Sequence, residues 1–132
     1  MNIFLENNTR FAKLCLNGLP SGYKSAESSK PSLLLFAIGI LSLHDAEIDS
    51  KDEIISYLKS LYKISGFSGS LHSTTHIAMT YSALASLIIC GDDLNWINKS
   101  AITNHLSTLQ NEDGSFSCYK GGESDMRYYL FI

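Results

Sequence analysis

The stretch that decides the fold runs from His76 to Cys90 and reads His-Ile-Ala-Met-Thr-Tyr-Ser-Ala-Leu-Ala-Ser-Leu-Ile-Ile-Cys. It is mostly apolar with small residues, and Gly91 follows it, as is common at a helix end. A second such stretch, Pro31 to His44, has proline in its first turn, where the missing N–H costs least. Because neither stretch has a polar face, we expect two helices that are covered by neighbours on all sides.

Amphipathic segments alternate with these apolar stretches. The segment from Ser50 to Tyr62 opens with the spacing of a capping box, and its apolar residues fall on one stripe of a helix. The segment from Lys99 to Gln110 has the same character, and both are expected to be surface helices. The stripe residues are Ile54, Ile55, Leu58, Leu61 and Tyr62 in the first segment and Ile102, Leu106 and Leu109 in the second.

The alternation has an internal period. Phe67 and Phe116 are 49 residues apart, and so are His76 and Asp125. Two-helix repeats of about 40 to 50 residues form α-solenoids or closed helical toroids. Since one helix of each pair is apolar all round and the other is striped, a double ring with the apolar helices inside explains the pattern better than an open solenoid. We therefore predict an all-α fold, a partial αα toroid of about two and a half helical pairs, over residues 1–132.

The two ends of the chain complete this prediction. A short helix capped by Thr9 and ending near Leu16 precedes the first apolar helix, and a third apolar helix begins at Asp125. That third helix has no outer partner, so apolar surface is left uncovered beside it. At roughly 25 cal/mol per Å², the lost burial is large against a net stability of about 5–15 kcal/mol. The isolated chain is therefore expected to be only marginally stable.

Composition excludes some classes of function. A net charge of −3 and a pI near 5.7 argue against an electrostatic role on nucleic acid or an anionic membrane. The longest apolar stretch, Leu33 to Leu43, is well short of the roughly 20 residues of a membrane-spanning helix, so no transmembrane segment is expected. Three cysteines without a pairing motif and no signal peptide at the start favour a reducing, cytoplasmic location.

Several short strings of the chain have counterparts, in the same order, in one protein family. The strings are His76-Ile-Ala-Met-Thr-Tyr81, Gly91-Asp-Asp-Leu94, Leu109-Gln-Asn-Glu-Asp-Gly-Ser-Phe116 and Asp125-Met-Arg127, with weaker matches at Leu19-Pro20, Tyr23 and the helix from Ser32. The chain thereby resembles the β subunits of protein prenyltransferases, in particular the type I geranylgeranyl kind. The resemblance covers nearly the whole chain, but only the N-terminal part of a family β subunit.

The resemblance implies both a fold and an activity. Family β subunits are αα toroids whose central funnel holds an isoprenoid diphosphate beside a catalytic zinc. They attach the isoprenoid, C20 from geranylgeranyl diphosphate in the type I enzyme, to the cysteine thiol of a C-terminal CaaX sequence. An α subunit is the implied partner, and small GTPases are among the implied substrates.

Three positions take roles from the resemblance alone. Ser32 corresponds to the small residue that leaves the isoprenoid pocket open to a C20 chain, and Phe36 corresponds to an aromatic residue lining that pocket. Arg127 corresponds to an arginine near the carboxylate of the peptide substrate, and a guanidinium suits a carboxylate in geometry and charge. Without the resemblance, Ser32 and Phe36 are ordinary packing residues, and Asp125 with Arg127 is a helix cap with a surface charge.

Other family features are missing. The zinc ligands of the family (an Asp, a Cys and a His) and the residues that grip the diphosphate have no counterpart here, and the connection from Gly66 to His76 is short. The histidines and cysteines are scattered without metal-ligand spacing. We therefore expect no catalytic residue and no metal ligand in this chain, a truncated β subunit, and no activity of the chain alone.

Two rival functions remain. The chain can instead be a non-catalytic helical-repeat module that binds the α subunit or another partner through its uncovered edge or outer face. Gln110 to Phe116 also resembles a repeat of the terpene cyclases, another αα-toroid family, but the Asp-rich catalytic motif of those enzymes is absent from the sequence.

Overall fold

The computed structural model describes residues 3–18 and 21–132, apart from the side chains of residues 23 and 24. Of the weaker resemblance, Leu19-Pro20 and the side chain of Tyr23 therefore lie outside what is described. Within these ranges the chain is mainly helical, with one two-stranded antiparallel hairpin. The helices are α1 (Ile3–Asn17), a 3₁₀ segment (Ser21–Ser29), α2 (Lys30–Leu43), α3 (Lys51–Ser60), α4 (Ile77–Cys90), α5 (Lys99–Ser107) and α6 (Met126–Phe131), and the strands are β1 (Tyr62–Lys63) and β2 (Gly66–Phe67).

The three apolar helices lie side by side. Helix α4 packs against α2 on one side and α6 on another, while α1 packs on α2 and α3 packs on α4. The apolar helices therefore form one row, and α1 and α3 each cover a member of it. This is the arrangement expected for part of a double ring, and the prediction of an all-α fold is confirmed.

The core is built where this row meets the striped helix α3 and the hairpin. Each large apolar side chain that is fully buried there contributes about 1.5–3 kcal/mol through burial. The stripe of α3 reaches this core as predicted, although Leu61 lies just past the helix end. The largest fully buried apolar side chains are Phe67, Ile38, Leu41, Leu58, Leu61 and Leu87.

The 49-residue period is present in the backbone. An antiparallel bridge closes the loop before α4, between Ser68 and Thr75, and another closes the loop before α6, between Ser117 and Ser124. Ser117 is 49 residues after Ser68, and Ser124 is 49 residues after Thr75. The sequence period therefore reflects a repeated three-dimensional unit.

The turn after α4 is held by a nearly buried carboxylate. Asp92 accepts hydrogen bonds from the backbone N–H of Leu94 and from Trp96 Nε1, both at 2.8 Å, and pairs with Lys59 Nζ at 3.0 Å. Burial alone would raise the pKa of Asp92, but these hydrogen bonds and the lysine charge lower it below its ordinary value. This cluster joins α3 to the end of α4.

Several helix ends differ from the predictions. Helix α1 begins at Ile3, so Thr9 lies inside it, and Thr9 Oγ1 is 3.2 Å from His44 Nδ1 instead of capping. Because α1 packs on α2, it starts before Thr9, the residue that the sequence indicated as its cap. Ser50 makes no side-chain capping bond. Helices α3 and α5 end at Ser60 and Ser107, earlier than predicted, because the chain there turns into the hairpin or the bridge.

The expectation that the apolar helices are covered on all sides is wrong for one face of each. Phe36 of α2 is 64% exposed, and Leu43, Tyr81 and Ile88 are exposed as well. The core occupies only part of the circumference of α2 and α4, so the opposite face is left uncovered. An apolar pattern without a polar face does not by itself imply complete burial.

One helical stretch, Ser25–Leu43, is long and apolar enough to cross a membrane by length and composition. In the fold, however, its residues Leu34, Ile38 and Leu41 are buried against neighbouring elements. Only 28% of this apolar window is buried in the fold, so one face of the stretch packs in the core and the rest lies outside it.

Candidate functional site

The uncovered faces of the inner helices carry large apolar side chains. We call Phe36, Leu43, Tyr81 and Ile88 the apolar wall. The ring of Phe131 from α6 stacks on Tyr81, with 4.5 Å between centroids and 15° between planes, so the third inner helix meets this face too. Phe36 and Leu43 border grooves beside α1, whereas Tyr81 lies toward α6. Exposed apolar groups on adjacent helices are candidates for binding a ligand or a partner. Such a surface binds by burial of apolar area.

Ser32 lies at the contact between α2 and α4. Its hydroxyl is 2.9 Å from Ser82 Oγ and 3.9 Å from Met79 Sδ, and the residue is half-buried. A larger side chain at this position would have to displace α4 or turn toward the uncovered face. Ser32 is therefore a small residue at a close contact between the two helices.

Phe36 is one helical turn beyond Ser32, and its ring also borders α1. It lines a cavity of about 160 Å³ between α1 and α2 while most of its surface stays exposed. The ring thus belongs both to this cavity and to the apolar wall. The other lining residues are Phe11, Ala12, Cys15, Leu33, Ala37 and Ile40.

Arg127 is exposed and paired within its own helix start. Its Nε and Nη2 lie 2.9 Å and 2.7 Å from the two carboxylate oxygens of Asp125, whose Oδ1 also accepts the backbone N–H of Arg127 as the N-cap of α6. Hydrogen bonds from Arg127 lower the pKa of Asp125 to about 2, and the carboxylate raises the pKa of Arg127. A guanidinium has five N–H donors, so donors remain for a second carboxylate.

The three predicted site residues fall into two places. Ser32 and Phe36 are neighbours on α2, whereas Arg127 is on α6, and α4 lies between these helices. The structure therefore brings the two predicted isoprenoid contacts together and keeps the predicted carboxylate contact apart from them. Their roles stay predictions.

A polar pocket around His76 was not predicted. His76 caps α4, its Nδ1 accepting the backbone N–H of Ala78 at 3.1 Å, and it borders a cavity of about 230 Å³. Burial lowers the pKa of His76, and the nearby Glu123 opposes this effect. The period that pairs His76 with Asp125 could have identified it as a helix cap. The hydroxyl groups of the cavity come from separate segments that no spacing connects: Ser28, Ser29, Ser73, Thr74 and Tyr119.

The part of the chain that the structure describes offers no zinc site. No group of three His, Cys, Asp or Glu side chains there is placed to hold a metal ion. The three cysteines are free thiols, and burial raises the pKa of Cys15 and Cys90, which disfavours the thiolate that zinc requires. These residues do not fit the zinc that the resemblance implies, so no chemical step is assigned to a metal here.

Comparison with known proteins agrees with this geometry. Residues 3–132 match the family described as the prenyltransferase alpha-alpha toroid domain. The chain is 29% identical over 127 residues to the protein farnesyltransferase subunit beta of Pyricularia oryzae, covering 92% of this chain and 25% of that protein. It is 27% identical over 154 residues to the geranylgeranyl transferase type-1 subunit beta of Arabidopsis thaliana, covering 96% of this chain and 41% of that protein.

A third relative, the protein farnesyltransferase subunit beta of Schizosaccharomyces pombe, is 27% identical and covers 93% of this chain. The chain spans between a quarter and about two fifths of the length of these relatives. The family match runs over nearly the whole chain, and the row of inner helices is the geometry that a toroid requires. The predicted partial αα toroid is thus confirmed, and the chain belongs to the prenyltransferase alpha-alpha toroid family, with protein prenyltransferase β subunits as its homologues.

Proposed function

We propose that this chain forms the first isoprenoid-facing part of a type I geranylgeranyltransferase β subunit. With an α subunit and the rest of the β subunit, it would serve in the cytoplasmic transfer of a C20 isoprenoid from geranylgeranyl diphosphate to a CaaX cysteine of proteins such as small GTPases. The observation that carries the proposal is the apolar wall on the inner helices, in which Phe36 lies one helical turn from the small residue Ser32.

The wall suits an isoprenoid because such a chain is bound through apolar contact alone. Phe36, Tyr81 and Ile88 offer exposed apolar area, and each buried CH₂ of a ligand is worth about 0.8 kcal/mol. A C20 chain exceeds a C15 chain by one isoprene unit. The longer ligand therefore gains binding free energy only if the pocket has room for that extra unit. The proposed role of Ser32, whose hydroxyl contacts Ser82, is to leave that room because its side chain is small.

Chemistry is assigned outside this chain. The resemblance implies a zinc ion that makes the substrate thiol a thiolate nucleophile, and the described residues do not hold it. The proposed contribution of this chain is therefore to bind and orient the isoprenoid through the wall. The proposed role of Arg127, on α6, is to attract the carboxylate of the peptide.

The test uses a chimera in which residues 3–132 replace the matching segment of the Arabidopsis thaliana relative, produced with its α subunit. The chimera should transfer geranylgeranyl in preference to farnesyl, measured as the ratio of kcat/KM values. Ser32→Trp should move this ratio toward farnesyl by ~10-fold or more, because a filled pocket discriminates against added carbons. Ser56→Trp, on the exposed side of α3, is the control. A chimera that prefers farnesyl, or an unchanged ratio in Ser32→Trp, would contradict the proposal.

Inactivity of the chain by itself is tested separately. The purified chain, mixed with an α subunit and zinc, should transfer no geranylgeranyl group to a peptide ending in Cys-aliphatic-aliphatic-Leu. Measurable turnover would show that this chain holds the reacting groups, against the proposal.

A further inference from the structure

The end of helix α1 carries the pair Asn17-Gly18, and asparagine is followed by glycine nowhere else in the sequence. Asn17 is the last residue of α1, and both residues of the pair are exposed. Within the described ranges, no hydrogen bond holds the side chain of Asn17. Its amide carbon is therefore accessible to a nucleophile from the neighbouring backbone.

Gly18 makes that approach sterically easy. Its φ of +150° lies in a region that L side chains rarely adopt, and a Cβ built there would meet no atom within 4 Å. Without a side chain, the backbone nitrogen of Gly18 can move toward Asn17 Cγ more freely than that of another residue could. Because helix ends fray, the Asn17 backbone can leave its helical conformation while the core stays folded.

Other asparagine side chains in the described residues are fixed by hydrogen bonds. Asn98 Oδ1 accepts the backbone N–H of Ala101 at 3.0 Å, as the N-cap of α5. Asn111 Nδ2 lies 2.9 Å from Ser124 Oγ. These bonds hold the two amides away from the nitrogen of the following residue, so neither is a comparable site.

A second pair of related chemistry, Asp113-Gly114, is also fixed. Asp113 Oδ1 accepts hydrogen bonds from Ser115 Oγ at 2.7 Å and from the backbone N–H of Ser115 at 3.0 Å. These bonds from Ser115 lower the pKa of Asp113 below its ordinary value. An ionised carboxylate is a poor electrophile, so only the pair at the end of α1 combines an uncharged electrophile with a free side chain.

We propose that Asn17 is a site of spontaneous deamidation in the folded chain. The nitrogen of Gly18 bonds to Asn17 Cγ, the bond from Cγ to the side-chain nitrogen breaks, and ammonia leaves with the proton of the Gly18 amide. Water from the solvent then opens the cyclic imide at one of its two carbonyls, which gives an aspartate or an isoaspartate. Each event replaces a neutral amide by a carboxylate without any oxidation. This inference does not depend on the proposed function.

The new carboxylate should weaken the end of α1. A negative charge at a helix C-terminus is disfavoured by the helix dipole. Lys13, one helical turn earlier, could pair with it, but Lys13 Nζ already lies 2.9 Å from Asp49 Oδ2, so two carboxylates would compete for one lysine. Because α1 packs on α2, deamidation should loosen the cover of the first inner helix.

The first experiment incubates the full chain, shown to be folded by circular dichroism, in mildly alkaline buffer and follows it by peptide mass spectrometry. The peptide containing Asn17 should shift to the deamidated mass and separate into two products by chromatography, while the peptides containing Asn98 and Asn111 stay intact. Asn17→Gln is the matched control and should stay unmodified, because glutamine would have to close a larger ring. An intact Asn17 peptide, or equal conversion at Asn98 and Asn111, would overturn the proposal.

The second experiment measures the consequence for the helix. Asn17→Asp carries the same charge as the aspartate product and should unfold at a lower temperature than Asn17→Gln. The difference should shrink at high salt, because salt screens an exposed charge. Position 17 is exposed, so both variants should keep the fold. Equal unfolding temperatures at low salt would contradict the inferred weakening of α1.

Discussion

The first repeat (α3 and α4) and the second repeat (α5 and α6) share one backbone plan but differ in burial. Ile77, at the start of α4, is 3% exposed, whereas Met126, its counterpart 49 residues on, is 88% exposed. The difference does not come from local structure, because both helices start after an antiparallel bridge and a side-chain N-cap. It comes from the neighbour, since α6 packs on α4 and, among the residues that the structure describes, no further repeat packs on α6.

This comparison shows where the stability of a repeat protein is located. Each unit buries its apolar residues chiefly against the next unit, so equivalent positions contribute unequally along the chain. The same substitution in the two repeats should therefore have different costs.

The largest difference is expected at the paired phenylalanines. Phe67 is completely buried, with its ring centroid 5.3 Å from that of Tyr62 and 6.2 Å from that of Trp96. Phe67→Ala should cost about 3–5 kcal/mol of unfolding free energy, enough to unfold a marginally stable chain. Phe116→Ala, at a half-buried ring, should cost about 1 kcal/mol. Urea unfolding followed by circular dichroism measures both, and equal costs would contradict the comparison.

The helix starts give the next test. Ile77→Ala removes a side chain packed against Leu109, Cys118 and Tyr128 and should cost at least about 2 kcal/mol. Met126→Ala should change the free energy of unfolding by no more than about 0.5 kcal/mol, because that side chain is exposed. If Met126→Ala lowered the free energy of unfolding by much more than that, the second repeat would have to be covered by another part of the chain.

The turns after the inner helices also differ. Asp92 binds Lys59, Trp96 and Leu94, and Asp92→Ala should cost about 1.5–3 kcal/mol, since hydrogen bonds to a buried charged group are lost. Leu43, 49 residues earlier, is exposed, and Leu43→Ala should be nearly neutral. Thermal unfolding of the two variants checks this, and a neutral Asp92→Ala would show that the cluster does not hold the turn.

The smallest effect concerns the two caps, which titrate in different ranges. Burial lowers the pKa of His76, so the unfolded chain binds this proton first and the His76 contribution is lost as the pH falls below about 6.5. His76→Asn keeps the cap and should remove that loss. Asp125, with a pKa of about 2, loses its contribution only as the pH falls from about 4 toward 2. The free energy of unfolding of His76→Asn and Asp125→Asn, measured across pH, separates the two ranges. If His76→Asn lost stability with falling pH as steeply as the wild type near pH 6, the loss would not come from His76.

Much of the fold could be predicted from the sequence because the repeat carries its own signals. The apolar stretch from His76, the glycine at position 91 and the 49-residue spacing locate the inner helices within a residue or two. The 3₁₀ segment and the hairpin could not be predicted, because tertiary contacts select them. The hydrogen bond from the Phe67 N–H to Thr80 Oγ1 is one such contact.

The site was less predictable than the fold. Ser32 and Phe36 carry no chemical pattern, and only family resemblance singled them out. The exposed side of α2 was missed because an all-apolar helix gives no hint of which face lies open. The ion pair of Arg127 with Asp125 is local, with one residue between the partners, and was open to prediction as a helix cap.

The central claim is that the apolar helices stand next to one another, as in part of a double ring. Ser32 Oγ and Ser82 Oγ are 2.9 Å apart across α2 and α4, a separation compatible with a disulfide after small adjustments. The Ser32→Cys, Ser82→Cys double variant should form that disulfide rapidly under mild oxidation, as detected by peptide mass spectrometry, while Ser56→Cys with Ser82→Cys should not. Failure of the first pair to react, or equal reaction of both pairs, would contradict this placement of the helices.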